Sequence, residues 1–173
     1  MKKVLLCLLF AAFLVGCGAE PTYETISAPI PVEPVAAQQQ FFVSLPQEAA
    51  APTFEDGSGA ELYVCQGYTI SKQIWESGDL EKSIQTLTGH SQEDLQVIKT
   101  RQGSADRYDF VWTTAGEDGL QLGRACILDD GNYHYTLTTL AEEAGSGDLQ
   151  EVFQDMFDSC VLLDPEVNMR TGS

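Results

Sequence analysis

The sequence predicts an α+β fold: an antiparallel β-sheet meander with amphipathic helices packed on it. Three observations lead there. Four runs rich in β-branched and aromatic residues follow one another between residues 95 and 140. Two other segments carry apolar residues at helical spacing. The connections between the runs are short turns, and parallel neighbours would need crossovers of about a dozen residues or more.

Within a domain spanning 41–164, the elements follow in order. Phe41-Phe42-Val43-Ser44-Leu45 predicts a strand stopped by Pro46, which cannot donate to a ladder. A loop runs through Glu55-Asp56-Gly57-Ser58-Gly59, and 62–66 and 68–75 form two strands around Gly67. Ser77-Gly78-Asp79 opens a helix whose Leu80, Ile84 and Leu87 share one face, and Gly89 stands where a C-terminal cap belongs. The four meander strands are 95–101, 107–114, 120–128 and 132–140. Gln102-Gly103-Ser104, Gly116-Glu117-Asp118-Gly119 and Asp129-Asp130-Gly131 separate them, all turn chemistries.

The last helix has the cleanest pattern. Leu149, Val152, Phe153, Met156, Phe157 and Cys160 fall on one stripe, with Gln150, Glu151, Gln154, Asp155 and Asp158 opposite. Asp148 and Glu151 fit a capping box, and the string Ser-Gly-Asp-Leu at 77–80 and 146–149 predicts the same N-terminal chemistry at both helices.

Ahead of the domain, Met1-Lys2-Lys3 precedes an apolar run at 4–15 that is too short to cross a bilayer, which takes about 20 residues. That layout predicts a signal peptide over 1–16. Its end, Leu14-Val15-Gly16-Cys17, resembles the lipobox of bacterial lipoproteins. The resemblance implies cleavage after Gly16 and attachment of palmitate-class acyl chains at Cys17, which would anchor the chain to the outer face of a cell membrane. Two acyl chains suffice for stable anchoring. Gly18 follows the anchor where inner-membrane retention signals often place Asp, so the outer membrane is expected if the organism has two. Residues 17–40 then form the anchor and a tether holding Pro21, Pro29, Pro31 and Pro34. Residues 165–173 are a C-terminal tail.

Charge narrows the partners. The chain carries 9 Lys and Arg against 26 Asp and Glu, a net charge of -17. Loss of Lys2 and Lys3 with the leader makes the mature form more acidic still. Such a surface repels nucleic acid and anionic headgroups, so membrane attachment falls to the lipid at Cys17.

The order of a Pro-ended strand, hairpin, helix, four-stranded meander and C-terminal helix resembles the PsbP-like α/β/α sandwich. The strings that carry it are Phe42-Val43-Ser44-Leu45-Pro46, Tyr133-His134-Tyr135-Thr136-Leu137-Thr138 and Met156-Phe157-Asp158-Ser159-Cys160. The chain also resembles small uncharacterised lipoproteins of gut Firmicutes, through Leu128-Asp129-Asp130-Gly131-Asn132-Tyr133-His134-Tyr135. Neither resemblance supplies a catalytic residue, and fold alone does not carry function.

Candidate chemistry is sparse. His90 and His134 stand in no HxH or HExxH spacing, CxxC is absent, and no metal or cofactor site is expected. His134 reads as a sheet residue with a hydrogen-bonded ring. No serine lies in GxSxG or SxxK, and no phosphate loop occurs. The acidic turns read as hairpin turns rather than calcium loops, which need acids at alternate positions. Tyr108, Phe110 and Trp112 alternate along one strand and Tyr133 and Tyr135 along another, as a buried sheet face requires.

Three cysteines remain in the mature domain, Cys65, Cys126 and Cys160, enough for one disulfide. Cys160 lies on an apolar helix stripe, and Cys65 and Cys126 lie on strands, so Cys65–Cys126 is the favoured pair. Three free, buried thiols are the other arrangement.

The expected function is that of a lipid-anchored, extracytoplasmic, non-catalytic binding or assembly protein with a protein partner in the cell envelope and no nucleic-acid partner. One alternative is a small-molecule receptor with a sheet-edge pocket near Trp112 and Tyr135. Another is an atypical hydrolase dependent on His134.

Overall fold

A computed structural model describes residues 36–116, 119–143, 146–147 and 149–163. All of these belong to the compact unit Ala36–Ser173. The expected signal peptide, Cys17, most of the tether, the tail at 165–173, the Glu117-Asp118 turn centre and Asp148 lie outside the described residues.

The chain forms β1 (Gln40–Phe42), β2 (Phe54–Glu55), β3 (Glu61–Cys65), β4 (Tyr68–Glu76), α1 (Leu80–Thr88) and β5 (Ile98–Gln102). β6 (Ala105–Ala115), β7 (Leu120–Asp129), β8 (Tyr133–Glu142), α2 (Gln150–Asp158) and β9 (Val161–Leu163) follow. Seven strands make one antiparallel sheet in the order β2-β3-β4-β8-β7-β6-β5, while β1 and β9 pair separately. The α+β class and the β5 to β8 meander stand as the sequence predicts. The β3–β4 hairpin joins the far side of the meander through nine paired positions between β4 and β8.

Side-chain alternation divides the sheet into two apolar faces. On β7, Ala125 and Ile127 point to the α1 side, where they meet Ile84, Tyr108, Phe110 and Trp112. Cys126 and Leu128 point to the α2 side, among Ile70, Tyr135, Leu137, Phe153, Met156 and Phe157. The helices therefore cover opposite faces, giving three layers. Both aromatic rows are core, as expected.

Local chemistry explains the helix ends. The Asp79 carboxylate accepts from the Glu81 amide at 3.0 Å, freeing α1 of one orphan donor. Gly89 ends it in the left-handed region at φ 77, its amide donating to the Gln85 carbonyl. At α2 the N-cap position is Leu149, with no side-chain cap among the described residues, and the expected capping residue Asp148 lies outside them. Instead α2 is held by Phe153, Met156 and Phe157, and packing of an apolar face usually outweighs end chemistry.

Contacts to the sheet begin ahead of Phe41 among the described residues. The Gln39 amide donates to the Tyr135 hydroxyl at 2.8 Å, and the Tyr133 hydroxyl donates to the Ala36 carbonyl at 3.0 Å. The expected strand at 41–45 shortens to Gln40–Phe42 because its partner β9 is only three residues long. The strand expected at 95–101 begins later, at Ile98, because Leu95 and Val97 turn into the α1-side core.

The Cys65–Cys126 disulfide is corrected. β3 and β7 are separated by β4 and β8, so even the lateral distance is about 14 Å at the usual strand spacing, twice what a disulfide spans. Cys65 is half-buried and free, and Cys126 and Cys160 are free thiols in the core.

Candidate functional site

The two histidines occupy different settings. His134 is wholly buried on the α1 side of β8. Its Nδ1 lies 2.8 Å from the Ser83 hydroxyl, and its Nε2 lies 3.4 Å from the Ser77 hydroxyl and 3.6 Å from Asp129 Oδ2. Ser77 also donates to Asp129 Oδ1 at 3.0 Å. The ring thus has partners at both nitrogens and ties α1 to the β7–β8 hairpin, the sheet-residue role the sequence suggests. His90 lies just after α1, with Nε2 3.3 Å from the Thr113 carbonyl on β6.

The acidic turns spend their carboxylates on backbone. Asp56 Oδ1 accepts from the Ser58 and Ala60 amides, both at 3.0 Å. Asp129 accepts from the Gly131 amide, and Asp130 Oδ1 accepts from the Asn132 and Tyr133 amides, all at 2.8 Å. These are turn geometries, as Asp-Gly pairs favour. Among the described residues no three His, Cys, Asp or Glu side chains gather as a metal site.

A cavity of about 690 Å³ lies at the end of the sheet where β6 loses its outer neighbour. β5 pairs with β6 only as far as Asp109, so the remainder of β6 has one free edge. The loop carrying His90, Asp94 and Leu95 flanks that edge, and the start of α2 covers the opposite face. Val111, Leu122 and Phe153 supply apolar wall on the α2 side, and Trp112 on the other.

Two polar groups in this wall stand opposite each other in register, Arg124 on β7 and Thr139 on β8. Directly paired residues bring their Cβ atoms to about 4.5–5.5 Å. The Arg124 guanidinium lies over the Phe157 ring, 4.3 Å from its centre. Lys72, Lys99 and Arg107 all hold carboxylates, whereas half-buried Arg124 has none among the described residues. Thr139 is 1% exposed and its hydroxyl has no hydrogen-bond partner among the described residues. An unpaired buried hydroxyl ordinarily costs about 1–3 kcal/mol. A cation with no carboxylate among the described residues, beside an unsatisfied hydroxyl, can receive an anionic or strongly accepting group.

Gly123 shapes the other wall. A Cβ built there would collide with the Trp112 indole, so only glycine lets that ring lie flat across β7. Of the two residues expected to mark a pocket, Trp112 lines this cavity and Tyr135 does not. Tyr135 faces the α2-side core, its hydroxyl donating to Asp130 at 3.0 Å. Sequence reasoning missed Arg124 and Thr139, because only the β7–β8 register sets them side by side.

No family model matches the chain, and no curated protein matches it. Among solved structures, the chain is similar to LpqN, a protein involved in cell envelope biogenesis of Mycobacterium tuberculosis. The TM-score is 0.50 at 10% identity, over 77% of this chain and 87% of LpqN. It is also similar to a protein of Bacteroides thetaiotaomicron VPI-5482, with a TM-score of 0.48 at 12% identity, over 75% of this chain and 50% of that one. The likeness to LpqN is one of fold.

Proposed function

We propose that this chain is a lipid-anchored, extracytoplasmic, non-catalytic binding or assembly protein of the bacterial cell envelope, attached through Cys17. The fold shared with LpqN supports an envelope role, and the three-layer order of elements supports a PsbP-like domain. The observation that carries the binding reading is the pairing of Arg124 and Thr139 in the apolar cavity. It suits a small ligand with an apolar body and an anionic end, the acid facing Arg124 and the body lying against Val111 and Leu122. Desolvated Arg–anion hydrogen bonds are stronger than neutral ones, which favours such a ligand over a neutral analogue.

Thermal shift of the full chain tests this, with myristate and lysophosphatidylglycerol as anionic probes and monomyristoylglycerol as the neutral one. At a hundredfold excess over Kd, a ligand adds about 2.7 kcal/mol of stability. The anionic probes should raise Tm in the wild type and much less in Arg124→Gln. No shift with either anion, or equal shifts in both proteins, would remove the cavity reading. Fatty-acid labelling of wild type against Cys17→Ser tests the anchor separately.

A second reading, docking to a protein partner in the envelope, is favoured by Ile98 and Val111. They are 55% and 63% exposed on the same face of β5 and β6, beyond the cover of α2. Val111→Glu should then abolish co-purification of the partner from native membranes without changing Tm.

A further inference from the structure

Cys126 and Cys160 are both wholly buried, in one apolar cluster, with side chains close enough to interact. One is on the interior strand β7, the other two residues past the end of α2. The backbone around Cys160 is pinned to the same sheet. The Gln102 side-chain Nε2 donates to the Cys160 carbonyl at 2.7 Å, and Arg107 donates to the Phe157 carbonyl at 3.0 Å. Arg107 is itself fixed by two bonds to Asp109, at 2.7 and 2.9 Å, and Asp109 is the cross-strand partner of Cys126. Two thiols placed together by this much independent bonding need little backbone movement to join.

We propose that Cys126 and Cys160 form a disulfide in the mature protein, stapling the C-terminal end of α2 to an interior strand of the sheet, and that Cys65 stays a free thiol. The reaction is exchange with an external disulfide, either glutathione disulfide or an oxidised thiol oxidoreductase. One cysteine thiolate attacks a sulfur of the incoming disulfide, forming a mixed disulfide and expelling one thiolate. The second cysteine attacks the mixed disulfide, closes the Cys126–Cys160 bond and expels the other. The two protons leave with the released thiols, and two electrons pass from the pair to the incoming disulfide.

Timing follows from burial. The neighbouring Cys160 thiol and removal from water both push the Cys126 thiol far above its ordinary range, so in the folded, reduced domain Cys126 is almost never a thiolate, and burial keeps an incoming disulfide from both sulfurs. The bond therefore closes before the core does. The loop it closes contains all of β8 and α2, and long loops gain most from closure.

The proposal depends on the exported location only for its natural oxidant, and the test supplies another. The reduced, denatured full chain is refolded with glutathione disulfide. Its free thiols are blocked with N-ethylmaleimide in denaturant, and it is digested without reduction. Mass spectrometry should find the Cys126 and Cys160 peptides linked and Cys65 carrying the maleimide, with the same link in Cys65→Ala. Reductant should lower the Tm of the oxidised wild type and leave that of Cys126→Ala with Cys160→Ala unchanged. Maleimide on both Cys126 and Cys160, or a link through Cys65, would overturn the assignment.

Discussion

His134 shows what one side chain holds in this sheet. Its neighbours Ser83, Ser77 and Asp129 come from α1, from the segment before it and from β7, so the ring joins three pieces of chain. His134→Ala leaves two hydroxyls and a carboxylate without that partner and opens a hole in the α1 side. The expected loss is about 2–4 kcal/mol in urea unfolding. A loss under about 0.5 kcal/mol would mean that the ring is not a tie. The sequence showed the type of role but not the partners, because Ser83 reaches His134 only through the docking of α1 and Asp129 only through the β7–β8 register. The same holds for Arg124 and Thr139, whose meeting needs the strand register.

Among the elements, those with a local signal were legible. The turns at Gly67, Gly103 and Gly131 take positive φ, so the hairpins they close were readable from glycine placement. β1, β2 and β9 were not readable in their true form. They are two or three residues long and exist only because a partner lies beside them. The disulfide expectation failed for a related reason: comparing strands with strands overlooked that a helix end can sit over a strand. α2 offers the clearest test at this scale. Phe157→Ala should cost about 3–5 kcal/mol, Phe153→Ala somewhat less, and exposed Gln154→Ala almost nothing. Equal small effects in chemical denaturation would mean that α2 does not pack by this face.

For the whole molecule, acidity sets the response to pH. Burial raises the Glu61 carboxyl, but the Lys72 and Tyr63 hydrogen bonds outweigh it and hold the group below its ordinary value. The hydrogen bond from Lys99 likewise lowers Asp106. A lowered carboxylate stabilises the fold above its unfolded pKa, and that share is lost as pH falls through the folded value. Tyrosines act at the other end of the scale. Burial, helped by Asp130, pushes Tyr135 up to about 12, and burial also raises Tyr63 and Tyr68 beside Glu61 and Glu48. A raised group contributes fully below its unfolded value near 10, and the contribution fades as pH climbs toward the folded one. Tm should be flat in the neutral range, drop below pH of about 4 and drop again above about 10. Glu61→Gln should blunt the acid limb. Tyrosines that all titrate near 10 in the folded domain would contradict the alkaline limb.

The small β1–β9 pair has a mechanical meaning. β1 is the first strand of the described residues, and it belongs to a two-stranded ladder rather than to the seven-stranded sheet. Tension drawn along the N-terminal side reaches the Gln39–Tyr135 bond and this short ladder before it reaches β3 or β4. Three paired positions yield at low load, while the long ladders of β4, β7 and β8 do not share it. A domain pulled from its N-terminal side would thus give up a few residues of slack first, a fuse that spares the sheet.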